Sequence, residues 1–356
     1  MAIGGISQSQ DSGYVGHYWS PWHPGGEQAG EKRQIRCELC PRYCRIPDGE
    51  RGFCFVRENR GGQLLLSTYG YATGLAVDPI EKKPLNHFYP GSRVLSFGTA
   101  GCNLACKFCQ NWHMSHSKQV HAFSQRAMPQ EIAEMARRNN CPSVAYTYND
   151  PVVFHEYVVD TAKACHEQGI ANVAVTAGYI NQGARKEFFD HMDAVNMDLK
   201  SFRERFYRSL TGGHIKPVLK SLEYVAHETR AWLEITTLVI PGYNDSRQEI
   251  RELASWIVGH LGSEVPLHLT AFSPSGEMTQ VPRTPVQTLF EARQVAQDEG
   301  LDYVYTGNIL SPETSHSYCP HCGALVIERN YYQTQIHALD KKGHCQKCGY
   351  KIAGRF

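Results

Sequence analysis

Residues 101–112 read Gly101-Cys102-Asn103-Leu104-Ala105-Cys106-Lys107-Phe108-Cys109-Gln110-Asn111-Trp112. The three cysteines are spaced C-x3-C-x2-C and follow a short apolar run, residues 93–97, closed by Gly98. Zinc seeks four protein ligands in a structural site. No fourth cysteine follows nearby, and His113 is the one adjacent histidine. Three thiolates on a tight loop suit an iron–sulfur cluster with one iron left open to a substrate or cofactor. A zinc knuckle and a buried cysteine cluster remain alternatives on spacing alone, because C-x2-C pairs also hold zinc.

Outward from this loop, strand and helix signals alternate. Residues 143–147, 170–176, 194–199, 232–240 and 267–271 are short apolar runs, and 303–305 forms a further one. Between them, residues 129–138 repeat apolar side chains at Ile132, Met135 and Ala136, a helical spacing. Asp150 before Pro151 reads as a helix start, and Gly169 as its end. Asp245 with Gln248 opens the next helix as a capping-box variant. Thr284, Pro285 and Gln287 open another, ended by Gly300. Six or seven strands separated by helices predict an α/β fold with a parallel sheet. Right-handed crossovers then give an open doubly wound sheet or a barrel, with too few units for eight strands.

The chain has 356 residues, 36 basic and 35 acidic side chains, and 13 cysteines. The near-zero net charge argues against bulk binding to nucleic acid or to an anionic membrane. No apolar run reaches the roughly 18 residues of a membrane-spanning helix. Residues 1–30 lack a basic start and an apolar core, so no secretory signal is expected; a loosely docked arm over 1–35 and a cytoplasmic protein are.

Eleven cysteines fall in three groups, which favours metal binding over a disulfide framework. Cys37, Cys40, Cys44 and Cys54 form C-x2-C-x3-C-x9-C, within a module placed at 36–62. Zinc and a second iron–sulfur cluster both suit that set; the polar surroundings of Pro41, Arg42, Arg45 and Arg51 tilt the expectation to zinc. Cys319, Cys322, Cys345 and Cys348 form two C-x2-C pairs 22 residues apart, a zinc-ribbon or rubredoxin-like pattern over 316–356. Zinc is preferred there, with a single iron as the alternative and Tyr331 and Tyr332 expected in the hairpin core. Such a ribbon, folded by its own metal, is expected to be a separate unit near the mouth of the main domain, 63–315. Cys165 is expected to be a buried thiol, and Cys141 is assigned no role.

The C-x3-C-x2-C with Phe108, the flanking FCQNW and the upstream stretch 78–87 (DPIEKKPLNH) resemble the radical S-adenosylmethionine superfamily. The closer likeness is to its pyruvate formate-lyase-activating-enzyme-like branch, and within it to the radical SAM member of the AmmeMemoRadiSam group. That resemblance covers about residues 37–308. It implies a partial (β/α)6 TIM-like barrel flanked by the two cysteine modules. It also implies a 4Fe-4S cluster on Cys102, Cys106 and Cys109, with S-adenosylmethionine on the open iron. Reductive cleavage to a 5′-deoxyadenosyl radical and hydrogen abstraction would follow.

By the same resemblance, cofactor contacts fall to Asn149 and Asp150 after the second strand, and to Asp198 and Lys200 after the fourth. His268 on the sixth strand and Asn308 after the last complete the set. Residues 239–245 (VIPGYND) resemble the segment that packs on adenine, and 176–179 (TAGY) lacks the family's Asn. An external one-electron donor such as flavodoxin or ferredoxin is implied, as are AMMECR-like and Memo-like partners; no catalytic side chain is assigned. For the same positions, capping by Asp150, an Asp198–Lys200 ion pair and a core His268 are the ordinary structural alternatives. The competing functions are a zinc-rich scaffold without catalysis and an iron–sulfur electron-transfer protein.

Overall fold

The computed structural model describes residues 13–23, 33–116 and 123–356. Its centre is a nine-stranded sheet in the order β15-β14-β13-β12-β11-β10-β8-β7-β9. The strands are β7 (Tyr71–Pro79), β8 (Arg93–Gly98), β9 (Ser124–Arg126), β10 (Ser143–Tyr146), β11 (Ala171–Thr176), β12 (Ala194–Asp198), β13 (Trp232–Val239), β14 (Leu267–Ala271) and β15 (Val304–Gly307). From β8 to β15 every pairing is parallel; β7 and β9 join antiparallel at one edge. Strands β10 and β14 are buried along their whole length, as expected where a parallel sheet is covered on both faces.

Helices return the chain between strands: α1 (Trp112–Ser115), α2 (Pro129–Arg138), α3 (His155–Glu167), α4 (Gln182–Asp190), α5 (Glu204–Phe206), α6 (Ile215–Glu228), α7 (Arg247–His260) and α8 (Val286–Asp298). Helix α2 starts with proline at its first position and buries Ile132, Ala133 and Ala136, as its apolar period requires. The cap of α7 differs from the expectation. Ser246 accepts from the Glu249 backbone N–H at 3.2 Å, while Asp245 accepts from Gly242 N–H at 3.0 Å and closes the preceding turn. Both residues are good caps; the VIPGYND turn occupies Asp245 and leaves Ser246 for the helix.

Smaller sheets flank this core. Strands β1 (Tyr14–Val15), β5 (Arg57–Arg60) and β6 (Gln63–Leu66) form one. Strands β2 (Trp19–Pro21), β3 (Gln34–Cys37) and β4 (Arg45–Pro47) form another, around the first cysteine group. The described part of the expected arm is therefore docked. Tyr14 stacks on Tyr69 at 3.9 Å, and the Tyr18 hydroxyl donates to Glu187 at 2.6 Å. Residues 1–12 and 24–32 lie outside the described residues. A buried ion pair ties this end to α3: Arg57 meets Glu156 through its two terminal guanidinium nitrogens, with each side chain almost fully enclosed.

At the other end, β16 (Ser317–Tyr318), β17 (Leu325–Asn330) and β18 (Gln333–Ile336) form a three-stranded antiparallel sheet carrying the last cysteine group. Its core is shared with β15, since Tyr303 and Tyr305 pack in one cluster with Cys319, Val326, Ile327 and Cys345. The buried Arg329 donates to the Asn86 carbonyl, and His87 Nδ1 bonds the Ala353 carbonyl at 2.6 Å. Tyr331 and Tyr332 are 68% and 54% exposed at the β17–β18 turn, outside the hairpin core where they were expected. No helix among the described residues is long and apolar enough to cross a membrane.

Candidate active site

The C-terminal ends of the parallel strands meet at one cleft of about 450 Å³. Cys102, Cys106 and Cys109 line it, together with Asn149, Asp150, Asp198, Lys200 and Asn308. Eight of the nine residues expected around the central site thus come together from β8, β10, β12 and β15, far apart in sequence. His268 is not part of this lining. It is buried on β14 and its Nε2 bonds Glu234 at 2.6 Å, in a cluster with Tyr305. The carboxylate on β13 takes the histidine, so His268 sits as a core residue outside the lining of the cleft, where the sequence had placed a cofactor contact.

The cysteine loop is held from several sides. Ala105 and Lys107 N–H donate to the Thr211 and Leu210 carbonyls, both at 2.8 Å. The Asn103 amide donates to the Tyr179 carbonyl at 2.8 Å, and the Arg42 guanidinium donates to the Asn103 carbonyl. Two glycines are required by close approach. A Cβ on Gly98 would lie 2.3 Å from the Thr147 carbonyl oxygen. One on Gly101, at φ +80°, would lie 2.0 Å from that of Cys54.

Asn149 and Asp150 are committed to the chain itself. Asn149 accepts from Thr99 N–H at 3.0 Å and donates to Thr99 Oγ1 (3.1 Å) and to the carbonyls of Ala100 (3.3 Å) and Gly101 (2.6 Å). It clasps the strand end that leads into Cys102. The Asp150 carboxylate accepts from Val152 N–H, the Thr176 hydroxyl and Ala177 N–H, at 3.1, 2.9 and 3.1 Å. Burial pushes its pKa up, and those three donors counter the shift. Asn308, at φ +59°, donates to the Ala271 carbonyl at 3.1 Å.

Asp198 and Lys200 form an ion pair at 2.9 Å on the wall of the cleft. Burial alone would lower the Lys200 pKa, but Asp198 and the Cys106 sulfur outweigh it and hold the ammonium above its usual value. Burial pushes the Cys106 thiol up to about 12, with Lys200 opposing. A buried thiol of that kind ionises when a metal takes the sulfur. No histidine and no fourth cysteine line the cleft among the described residues. Three thiols facing open space beside a cation fit a cluster with one uncommitted iron.

The sequence reading missed the floor of the cleft. Lys82, Lys83 and Pro84, within the DPIEKKPLNH stretch, rise into it. Asp78 pairs with Lys82 and Lys83 at 2.7 Å each and accepts from the Tyr148 hydroxyl at 3.2 Å. The stretch was conspicuous as a motif, but its place became visible only when β7 paired antiparallel to β8 and sent the chain back under the sheet. Tyr332, from the β17–β18 turn, also lines the cleft.

The flanking cysteine sets differ in spacing. All four sulfurs of Cys319, Cys322, Cys345 and Cys348 lie within 4.8 Å of one another, with pairs at 3.6 and 3.7 Å. A tetrahedral ion with Zn–S near 2.3 Å puts sulfurs ~3.8 Å apart, so this set can hold one metal ion. No three sulfurs of Cys37, Cys40, Cys44 and Cys54 come that close together.

The family profile described as the Radical SAM superfamily matches residues 97–256. The uncharacterized protein MJ0808 of Methanocaldococcus jannaschii is 42% identical over 323 residues, 90% of this chain and 96% of that protein. A pyruvate formate-lyase-activating enzyme of Clostridium pasteurianum is 29% identical over 180 residues, 47% of this chain and 70% of that enzyme. Among solved structures, a radical SAM methyltransferase from Sphaerobacter thermophilus is similar at a TM-score of 0.49 and 16% identity. That match covers 81% of this chain and 76% of the other.

Proposed function

This chain belongs to the radical SAM superfamily, and from that premise we propose that the cleft binds S-adenosylmethionine beside a 4Fe-4S cluster held by Cys102, Cys106 and Cys109. The superfamily match makes it a radical SAM enzyme that draws on an external electron donor. When bound, the reduced cluster supplies the electron that splits S-adenosylmethionine to methionine and a 5′-deoxyadenosyl radical. Everything else in the proposal is work for this chain's own residues.

The observation that carries the reading is the three-thiol loop facing a cleft that offers no fourth thiol or imidazole. Asn149 and Asp150 act at one remove: they fix the strand ends from which the loop and the wall project. Lys200 supplies a permanent cation at the thiols and suits the carboxylate of S-adenosylmethionine, while Asp198 suits its amino or hydroxyl groups. A partial (β/α)6 barrel closed over bound substrate would limit water at the radical.

The substrate we put first is a backbone glycine of a partner protein, because several relatives are named as activating enzymes. A substrate handled with AMMECR-like and Memo-like proteins is the second candidate. A cytoplasmic location, a flavodoxin or ferredoxin as donor and zinc at the C-terminal cysteines belong to the same proposal. Anaerobic reconstitution, followed by dithionite and S-adenosylmethionine, should yield 5′-deoxyadenosine. Cys106→Ala should abolish that product while the protein stays folded, since one ligand is lost from a loop held by other bonds. Product retained in Cys106→Ala would overturn the assignment.

A further inference from the structure

The first cysteine group encloses a pocket of its own. Cys37, Cys40, Cys44 and Cys54 line a small pocket, bounded by Val152 and Val153 of the main domain and by Asn103. Cys37 and Cys54 are buried, Cys40 and Cys44 partly so, and none is in a disulfide. Four thiols converge from β3, the following turn, the entry to β4 and the loop before β5. Such a set, in a pocket walled by aliphatic side chains, has metal binding as its ordinary use.

Spacing decides between a single ion and a cluster. The C-terminal set shows what this chain does for one ion: four sulfurs within 4.8 Å of one another. The N-terminal set does not gather even three of its sulfurs within that distance, and the central triad does not either. In a cubane each thiolate binds its own iron, so the sulfurs stand further apart than around one zinc.

Position supplies the role. The Cys54 carbonyl abuts Gly101, one residue before Cys102, and leaves no room there for a Cβ. Arg42, two residues after Cys40, grips the carbonyls of Asn103 and Gly212. The pocket and the central loop therefore share a wall. On the outer side Arg36, Arg42 and Arg45 stack over Tyr43, Phe53 and Trp22. That cationic rim is complementary to an acidic redox protein.

We propose that Cys37, Cys40, Cys44 and Cys54 hold a second 4Fe-4S cluster, in place of the zinc expected from sequence, and that it relays electrons to the central cluster. A reduced ferredoxin or flavodoxin gives up one electron and is oxidised. The N-terminal cluster is reduced and then reoxidised as the electron passes inward. The central cluster gains that electron, which is consumed in cleaving the S–C5′ bond of S-adenosylmethionine. The cluster assignment stands on the pocket alone; the relay rests on the proposed function above.

The test uses the full chain, reconstituted anaerobically with iron and sulfide. About eight iron and eight sulfide per chain are expected, falling to about four of each in Cys40→Ser and in Cys44→Ser. Dithionite-reduced wild type should show two electron-spin signals, one shifted by S-adenosylmethionine and one not, and the variants should lose the second. Four iron with two zinc per chain, or one spin signal, would overturn the cluster. If the variants are insoluble, the wild-type metal content and spectrum decide alone. For the relay, the ratio of flavodoxin-driven to dithionite-driven 5′-deoxyadenosine should fall at least tenfold in the variants, and an unchanged ratio overturns it. Two clusters in a wild type that makes no 5′-deoxyadenosine would support the pocket assignment and sink the proposed function instead.

Discussion

Asn149→Ala probes whether the cysteine loop is positioned by the chain or by its ligands. Asn149 is 5% exposed and spends its amide on Thr99, Ala100 and Gly101. Of its four hydrogen bonds, those at 3.0 and 2.6 Å are well made and worth about 1 kcal/mol each net. Truncation also orphans the Thr99 N–H in a buried site, at a cost of ~1–3 kcal/mol that overlaps the first of those. The loss should be about 2–4 kcal/mol, concentrated in the strand end that leads into Cys102. If it appears as loop opening, iron release to a chelator should accelerate by ~30- to ~700-fold, at tenfold per 1.4 kcal/mol. The assay is iron loss to a ferrous chelator under anaerobic conditions, run beside a denaturant titration of the same samples. Asn149→Asp, which keeps the acceptor for Thr99 N–H but loses the amide donors, should fall between wild type and alanine. Unchanged stability and iron retention, with S-adenosylmethionine binding weakened tenfold or more, would refute this reasoning and make Asn149 a direct cofactor ligand.

Asp198→Ala should weaken S-adenosylmethionine binding at least tenfold while lowering stability by less than ~1 kcal/mol, because Asp198 is about one-third exposed and its pairing is screened. Lost melting temperature with unchanged binding in calorimetry would make the pair purely structural. Deletion of 316–356 should give an insoluble or strongly destabilised protein, since it uncovers Tyr303, Tyr305 and His87; a soluble monomer with native melting temperature would show that β15 needs no cover. Glu187→Gln tests the anchoring of the N-terminal segment. The hydrogen bond from His155, and then that from Tyr18, hold the Glu187 pKa down at about 2 against burial. A depressed carboxylate stabilises fully above its unfolded pKa, near 4.5, and loses that contribution as pH falls through about 2. The difference in denaturation midpoint between wild type and Glu187→Gln should therefore shrink from pH 4.5 downward, and a difference constant with pH would refute it.

Residues 101–112 made the central site legible because three thiolates at that spacing have few chemical uses, and the spacing is local. The alternation of apolar runs with capped helices made the parallel sheet legible for the same reason: turn chemistry and periodicity act within a dozen residues. Strand ends then placed Asn149, Asp198, Lys200 and Asn308 around one cleft, because parallel strands share one edge. What each side chain does there is a tertiary matter. His268 turned to Glu234 because β13 and β14 lie side by side in register, a pairing that no local pattern encodes. Asp150 found its partners on β11, and the two lysines of DPIEKKPLNH became the floor only through the antiparallel return from β7 to β8. The two flanking cysteine sets look alike as spacings, both able to close around a metal. Their difference lies in sulfur-to-sulfur distance, which depends on how far apart packing holds the backbone segments that carry them.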